Sequence, residues 1–279
     1  MPVKAVTRKR CSIPARPEVL VAVGQLMKSE DPDIEQICFH LKQDVALYVS
    51  VLGTVNTAYF GLPQQITQLE RAAGLLGLNR LYAIVRLAAM RSTLSGLGRL
   101  ERFWDTATEV AHICSLLAQR YPSIDRDEAY TLGMMHECGI PVMMQNFDDY
   151  KTFLPTLNDI SLPQMHKQQW DRYGQSHFTV GAQMAKEWCL PDTTVQAIKN
   201  QPGYKVWLSQ SPADGQDEGR MLLAILLLSK VISDSYRRYW RINSADIQQF
   251  ELNPVLEFCG LCDYDFLDIK EDIIQQLQS

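Results

Sequence analysis

No stretch of this 279-residue chain is long and apolar enough to read as a membrane span. Its most hydrophobic run, Met221 to Leu228, is far shorter than the roughly 20 apolar residues a bilayer-crossing helix needs, and Arg220 and Lys230 flank it. Pro14 and Pro17 interrupt the N-terminal segment, so no apolar leader region follows the basic residues there. A protein neither exported nor embedded is expected, in the cytoplasm. Evenly paired cysteines are lacking too. The seven thiols, at 11, 38, 114, 138, 189, 259 and 262, are scattered and odd in number. That suits a reducing compartment, where they act as small buried apolar residues. Cys259 and Cys262 form a CxxC, but a structural zinc site needs four ligands and no second pair stands at suitable spacing.

Positive charge is not in excess. With 27 basic against 32 acidic side chains the net charge is −5, a balance that repels phosphate backbones. The one basic cluster, Lys4, Arg8, Lys9, Arg10 and Arg16, reads as a solvated tail, and nucleic-acid binding through it ranks last among the functional readings. Two-residue alternation is scarce, so no sheet is expected. There is no GxSxG elbow, no GxxxxGKS/T loop and no Rossmann glycine fingerprint. Gly174-Gln-Ser-His177 contains a Ser/His pair, but sequence neighbours on a helix face different sides, which argues against a nucleophilic couple.

What remains is helical periodicity nearly throughout. Pro17 opens a first helix, and Asp31-Pro-Asp33 breaks the chain and caps a second that runs through Leu41. Asp44 caps a third, a turn spans Tyr59 to Gln65, and helices follow over 69–76 and from about 79 to 95. Further helices are expected at about 101–120, 126–136, 147–154, 158–172, 177–188, 192–200, 217–238 and 264–277, with 201–219 as the longest loop. The chain divides into a flexible basic tail (1–14), a helical domain (15–240) and a C-terminal helical extension (241–279). A short linker at 96–99 splits the domain into an N-lobe (15–97) and a C-lobe (98–240).

Only five histidines are present: 40, 112, 136, 166 and 177. His136 precedes Glu137 in Tyr130-Thr-Leu-Gly-Met-Met-His-Glu-Cys-Gly-Ile140. This segment resembles the "GLLHDIG" signature of HD-domain metal phosphohydrolases and of their non-catalytic relatives, the HDOD regulatory domains. Four other segments agree in order and spacing. Val51-Leu-Gly-Thr-Val-Asn-Thr-Ala-Tyr-Phe60, with Gly61-Leu-Pro and Ile66, looks like the HDOD "vLrlaNSa.yg…I" stretch. Ala72-Ala-Gly-Leu-Leu-Gly77 looks like "Ai..LG", and Phe103-Trp-Asp-Thr-Ala-Thr-Glu-Val-Ala111 is similar to "lW.hS…A". Gly174-Gln-Ser-His177, Val180-Gly181 and Trp188-Cys-Leu-Pro191 match "G..H..vG…W.lP". The resemblance covers about residues 15 to 240 and implies an all-α, HD-like bundle of two packed lobes.

In the hydrolases, imidazoles and carboxylates hold two metal ions that activate a water for attack on phosphorus. Carried over, that site is mostly gone. The first ligand position falls near Thr106, and His112 lies more than a turn and a half further along the helix. Glu137 stands for Asp, which moves its carboxylate by one methylene, roughly 1.5 Å. Metal–ligand distances tolerate only about 0.2 Å. His177 keeps a third position, Asn200 and Gln201 replace paired histidines, and Lys230 replaces a late Asp. His136 and His177 therefore read as buried, hydrogen-bonded core histidines with Glu137 as a cap or ion-pair partner. A weak single-metal site is the other reading. His40 and His166 show no partner in sequence and read as surface or helix-end residues. Asn56 reads as a cap for backbone groups in the turn after it. Trp104, Trp170 and Trp188 read as core or lobe-interface anchors.

The resemblance implies a bacterial, non-enzymatic regulatory protein without cofactor, acting on signalling proteins in trans through its degenerate pocket. The alternative is a divergent phosphohydrolase using one divalent metal at His136, Glu137 and His177.

Overall fold

Every regular element among the described residues is helical. The structure is a computed structural model that describes residues 10–57, 64–95, 100–210, 217–239 and 250–278. Lys4, Arg8 and Lys9, the segment Tyr59 to Pro63 and the 96–99 linker lie outside those residues. The chain forms two units, one of residues 14–100 and one of residues 1–13 with 101–279.

The 14–100 unit contains α1 (Glu18–Leu26), α2 (Ile34–Gln43), α3 (Val45–Val55), α4 (Leu69–Leu76) and α5 (Leu78–Ser95). The aspartates expected as caps act as such. The Asp33 carboxylate accepts from the backbone N–H groups of Glu35 and Gln36, and that of Asp44 accepts from Leu47. Each satisfies a donor that a helix start leaves without a partner. Leu20, Val23, Ile37, Leu41, Val51, Val55, Leu69 and Val85 form its core. Asn56 closes the end of α3. Its Nδ2 donates to the carbonyls of Leu52 (2.9 Å) and Ile66 (2.8 Å), and its Oδ1 accepts from the Ile66 N–H at 2.7 Å. One amide thus pins two chain segments ten residues apart.

The second unit contains α6 (Glu101–Ala118), α7 (Arg126–Met135), α8 (Gly139–Asn146), α9 (Tyr150–Phe153), α10 (Leu162–Tyr173), α11 (His177–Glu187), α12 (Asp192–Asn200), α13 (Tyr204–Ser209), α14 (Asp217–Tyr239), α15 (Asn253–Cys259) and α16 (Asp263–Gln278). Leu222 to Leu228 are fully buried without exception. A helix apolar on all sides must be surrounded, and α6, α7, α12, α15 and α16 all pack on α14. The longest apolar run is therefore the axis of this unit.

The structure departs from the sequence reading in several places. A helix expected at 147–154 is the short α9 followed by a 3₁₀ turn, and α8, which was not anticipated, stands before it. Pro141 lies in the first turn of α8, where a missing N–H leaves no helical hydrogen bond unmade. The loop expected at 201–219 contains α13, and α15 was not anticipated. Residues 10–13 of the expected tail are held in place. Cys11 is buried beside Met143, and Ser12 exchanges backbone hydrogen bonds with the Asn146 side-chain amide. Cysteine burial holds for Cys11, Cys38, Cys114 and Cys138, whereas Cys189 and Cys262 are exposed. Trp104 and Trp188 are buried, but Trp170 is 39% exposed on α10 and is not a core anchor.

Candidate functional site

The Asp125 carboxylate accepts from the N–H groups of Asp127 and Glu128 to start α7, which ends at Met135. His136, Glu137 and Cys138 then form a tight turn into α8, with the Cys138 N–H donating to the Met135 carbonyl. Two close helix crossings fix this turn. A Cβ on Gly133 would meet the Ala111 backbone of α6 at 2.4 Å. A Cβ on Gly139 would meet the His177 carbonyl oxygen at 1.9 Å and the Gly181 nitrogen at 2.7 Å. Glycine is required at both, because no side-chain carbon fits between backbones this close. The second crossing brings the first residue of α11, His177, to the His136–Glu137 turn.

The two imidazoles are almost fully buried, at 2% and 1% exposure, while Glu137 is 27% exposed. His136 Nδ1 lies 2.7 Å from the Gly133 carbonyl oxygen, so Nδ1–H donates there and Nε2 keeps a lone pair. That Nε2 is 3.6 Å from Glu137 Oε1. Lys230 Nζ, reaching in from α14 and 11% exposed, donates to the same carboxylate oxygen at 3.1 Å. Burial pushes the Glu137 carboxyl up, but the Lys230 cation and its hydrogen bond, together with His136 and His177 where these are protonated at low pH, outweigh it and hold the group at about 2. Burial drives His177 down to about 3 against the attraction of Glu137, and burial likewise lowers His136. At neutral pH the site is two neutral imidazoles beside one ion pair.

Gln201, fully buried at the start of a 3₁₀ turn, donates from Nε2 to the His136 carbonyl at 2.9 Å and to that of Ile198 at 3.2 Å. His136, Glu137, His177, Gln201 and Lys230 thus come together. Asn200 and Thr106 make hydrogen bonds elsewhere in the same unit. Asn200 hydrogen-bonds within its own helix, to the Gln196 carbonyl. Thr106 accepts from Arg237 at 2.6 Å, and that guanidinium also donates to Glu109 at 3.0 Å, with Ser233 donating to the same Glu109 oxygen. Lys230, Ser233 and Arg237 share one face of α14, so its polar stripe serves Glu137 at one level and Glu109 at the next. Trp104 is a buried side chain of α6, and Asn56 belongs to the 14–100 unit. His112 lies against the Tyr130 ring, with centroids 5.7 Å apart. His166, which showed no partner in sequence, has Nδ1 2.8 Å from Ser176 Oγ. The buried Ser176 is the N-cap of α11, so this Ser–His contact joins α10 to α11.

Gln169 and Tyr150 were not anticipated. Gln169, fully buried on α10, has Oε1 accepting from the His177 backbone N–H at 2.9 Å and from the Tyr150 hydroxyl at 3.1 Å. Its Nε2 lies 2.8 Å from His177 Nδ1. The signal available in sequence was a glutamine eight residues before a histidine, which no helical spacing connects; a helix end and a turn intervene.

A divalent metal centre of the hydrolase kind does not fit these residues. The one carboxylate in reach is already paired with an ammonium, and among the described residues no group of three His, Cys, Asp or Glu side chains is placed to hold a metal ion.

The chain is similar in fold to a Shewanella amazonensis SB2B protein provisionally named a phosphohydrolase, at 22% identity and a TM-score of 0.69, covering 94% of this chain and 90% of that one. A Geobacter sulfurreducens HDOD domain protein of unknown function gives 20% identity and a TM-score of 0.65, covering 95% and 90%. A curated Treponema pallidum (strain Nichols) relative, an uncharacterized protein, is 24% identical over 196 residues. That alignment takes in 67% of this chain, which spans 37% of the relative's length. The family model of the HDOD domain matches residues 13–203, about two thirds of the chain, and the chain belongs to the HDOD domain family.

Proposed function

We propose that this protein is a non-enzymatic regulatory module, working in the cytoplasm on signalling proteins through the remnant of an HD-type pocket, with no resident cofactor. The observation that carries this reading is the Lys230–Glu137 ion pair at 3.1 Å. A hydrolase needs that carboxylate to face a cation that polarises water. Here a side-chain ammonium takes the cation's electrostatic role and leaves no open coordination position. Lysine also carries no empty orbital to accept a hydroxide, so the charge is satisfied while the chemistry is lost. The pocket's fixed donors and acceptors remain suited to recognising a ligand or partner segment without transforming it. That no helix among the described residues is long and apolar enough to cross a membrane is consistent with this setting.

The test is hydrolysis of phosphodiester and phosphomonoester substrates with manganese or iron(II) added, comparing the natural chain with His136→Ala. Equal background rates are expected. Turnover by the natural chain that disappears in the variant would establish the alternative, a single-metal phosphohydrolase at His136, Glu137 and His177.

A further inference from the structure

We infer that Gln169 is a positioning residue that locks His177 in the tautomer carrying its proton on Nε2, so that this ring presents a hydrogen-bond donor instead of a metal-ligating lone pair. One donor at this site cannot rotate. The His177 backbone N–H points at Gln169 Oε1 from 2.9 Å, and the Tyr150 hydroxyl approaches the same atom at 3.1 Å. Exchanging the amide's oxygen and nitrogen would set an NH2 group against a backbone N–H, two donors face to face in a fully buried place, where an unmade hydrogen bond costs most. The amide orientation is therefore fixed. Its Nε2 then lies 2.8 Å from His177 Nδ1, with Oε1 slightly further from that nitrogen at 3.0 Å. Oε1 already accepts from the His177 N–H and the Tyr150 hydroxyl, so the closer contact is read as the NH2 group donating to a lone pair on Nδ1. In a neutral imidazole the proton must then sit on Nε2.

A metal-binding histidine has the reverse arrangement. It donates from one ring nitrogen to a carboxylate or carbonyl, which frees the other to ligate. His136 has that arrangement, donating from Nδ1 to Gly133, and His177 does not. The two surviving imidazoles are thus held in opposite tautomers, one an acceptor at Nε2 and the other a donor. The inference deepens the functional reading above and rests on it in one respect, that no resident metal competes for the ring.

Long-range proton–nitrogen correlation spectra of the full chain labelled with ¹⁵N-histidine read the tautomer directly, with the His177 signals assigned by their loss in His177→Gln. At neutral pH the expected pattern is an unprotonated Nδ1 and a protonated Nε2. In Gln169→Glu the pattern should invert, because a carboxylate has no donor and accepts from both the backbone N–H and Nδ1–H. Zinc should then bind at least about tenfold more tightly than to the natural chain, the scale on which partners of metal-bound histidines act. A natural chain with Nδ1 protonated overturns the inference, whether or not Gln169→Glu folds. Equal zinc affinity in the natural chain and a folded Gln169→Glu also overturns it. Phosphate-ester turnover would sink the functional reading alone, since the tautomer is read separately.

Discussion

At the residue scale the site is a charge-balance problem. Glu137 keeps its carboxylate ionised in a mostly enclosed place because Lys230 faces it, and removing either partner alone leaves the other uncompensated. Lys230→Met is expected to lower stability by roughly 2–3 kcal/mol at neutral pH, and the double variant with Glu137→Gln to recover most of that loss. Chemical denaturation of the four proteins checks the cycle. The buried imidazoles add a pH dependence. His177 titrates at about 3 in the folded chain against an ordinary 6.5, so the unfolded chain binds more protons between these values. Stability is fully present above pH 6.5 and falls as pH drops through that window, with a limiting slope of about 1.4 kcal/mol per pH unit for one group. Glu137, held at about 2 against 4.5, acts in the same sense at lower pH, its contribution lost as pH falls from 4.5 toward 2. Denaturation midpoints in His177→Gln should therefore vary less between pH 6.5 and 4.5 than those of the natural chain.

At the element scale, glycines set the helix crossings. Gly139 allows α8 to touch α11 backbone to backbone, and this contact carries His177 to the His136 turn. Gly139→Ala is expected to cost roughly 3 kcal/mol, because its Cβ would collide with a carbonyl oxygen that cannot swing away. Thermal unfolding checks the loss, and the histidine signals should report the displaced ring. Much of this scale was legible in sequence: the Asp33 and Asp44 starts, the helix from about 126, the long α5, and the apolar run inside α14. The errors have common causes. Two of the missed helices begin beside a proline: Pro141 sits in the first turn of α8, and Pro202, within the expected 201–219 loop, lies in a 3₁₀ turn just before α13. A glycine that lets two helices meet looks the same in sequence as one that ends a helix.

At the scale of the whole molecule, the HDOD match ends at residue 203, but the cation that answers Glu137 comes from α14, beyond it. Residues 217–239 and the helices after them belong to the same unit as the His136 turn, so the altered pocket is completed by a part of the chain outside the matched segment. The sequence motifs pointed to His136, Glu137 and His177, and the same resemblance put Lys230 in the place of a late Asp. Gln169 and Tyr150 stayed hidden because their importance comes from one fixed hydrogen-bond arrangement, which leaves no spacing pattern. The measurement that tests the account most directly is metal content of this chain isolated without added metal, by elemental mass spectrometry. The account predicts far less than one equivalent of iron, manganese or zinc per chain, unchanged in His177→Ala. One equivalent or more that disappears in His177→Ala would contradict it.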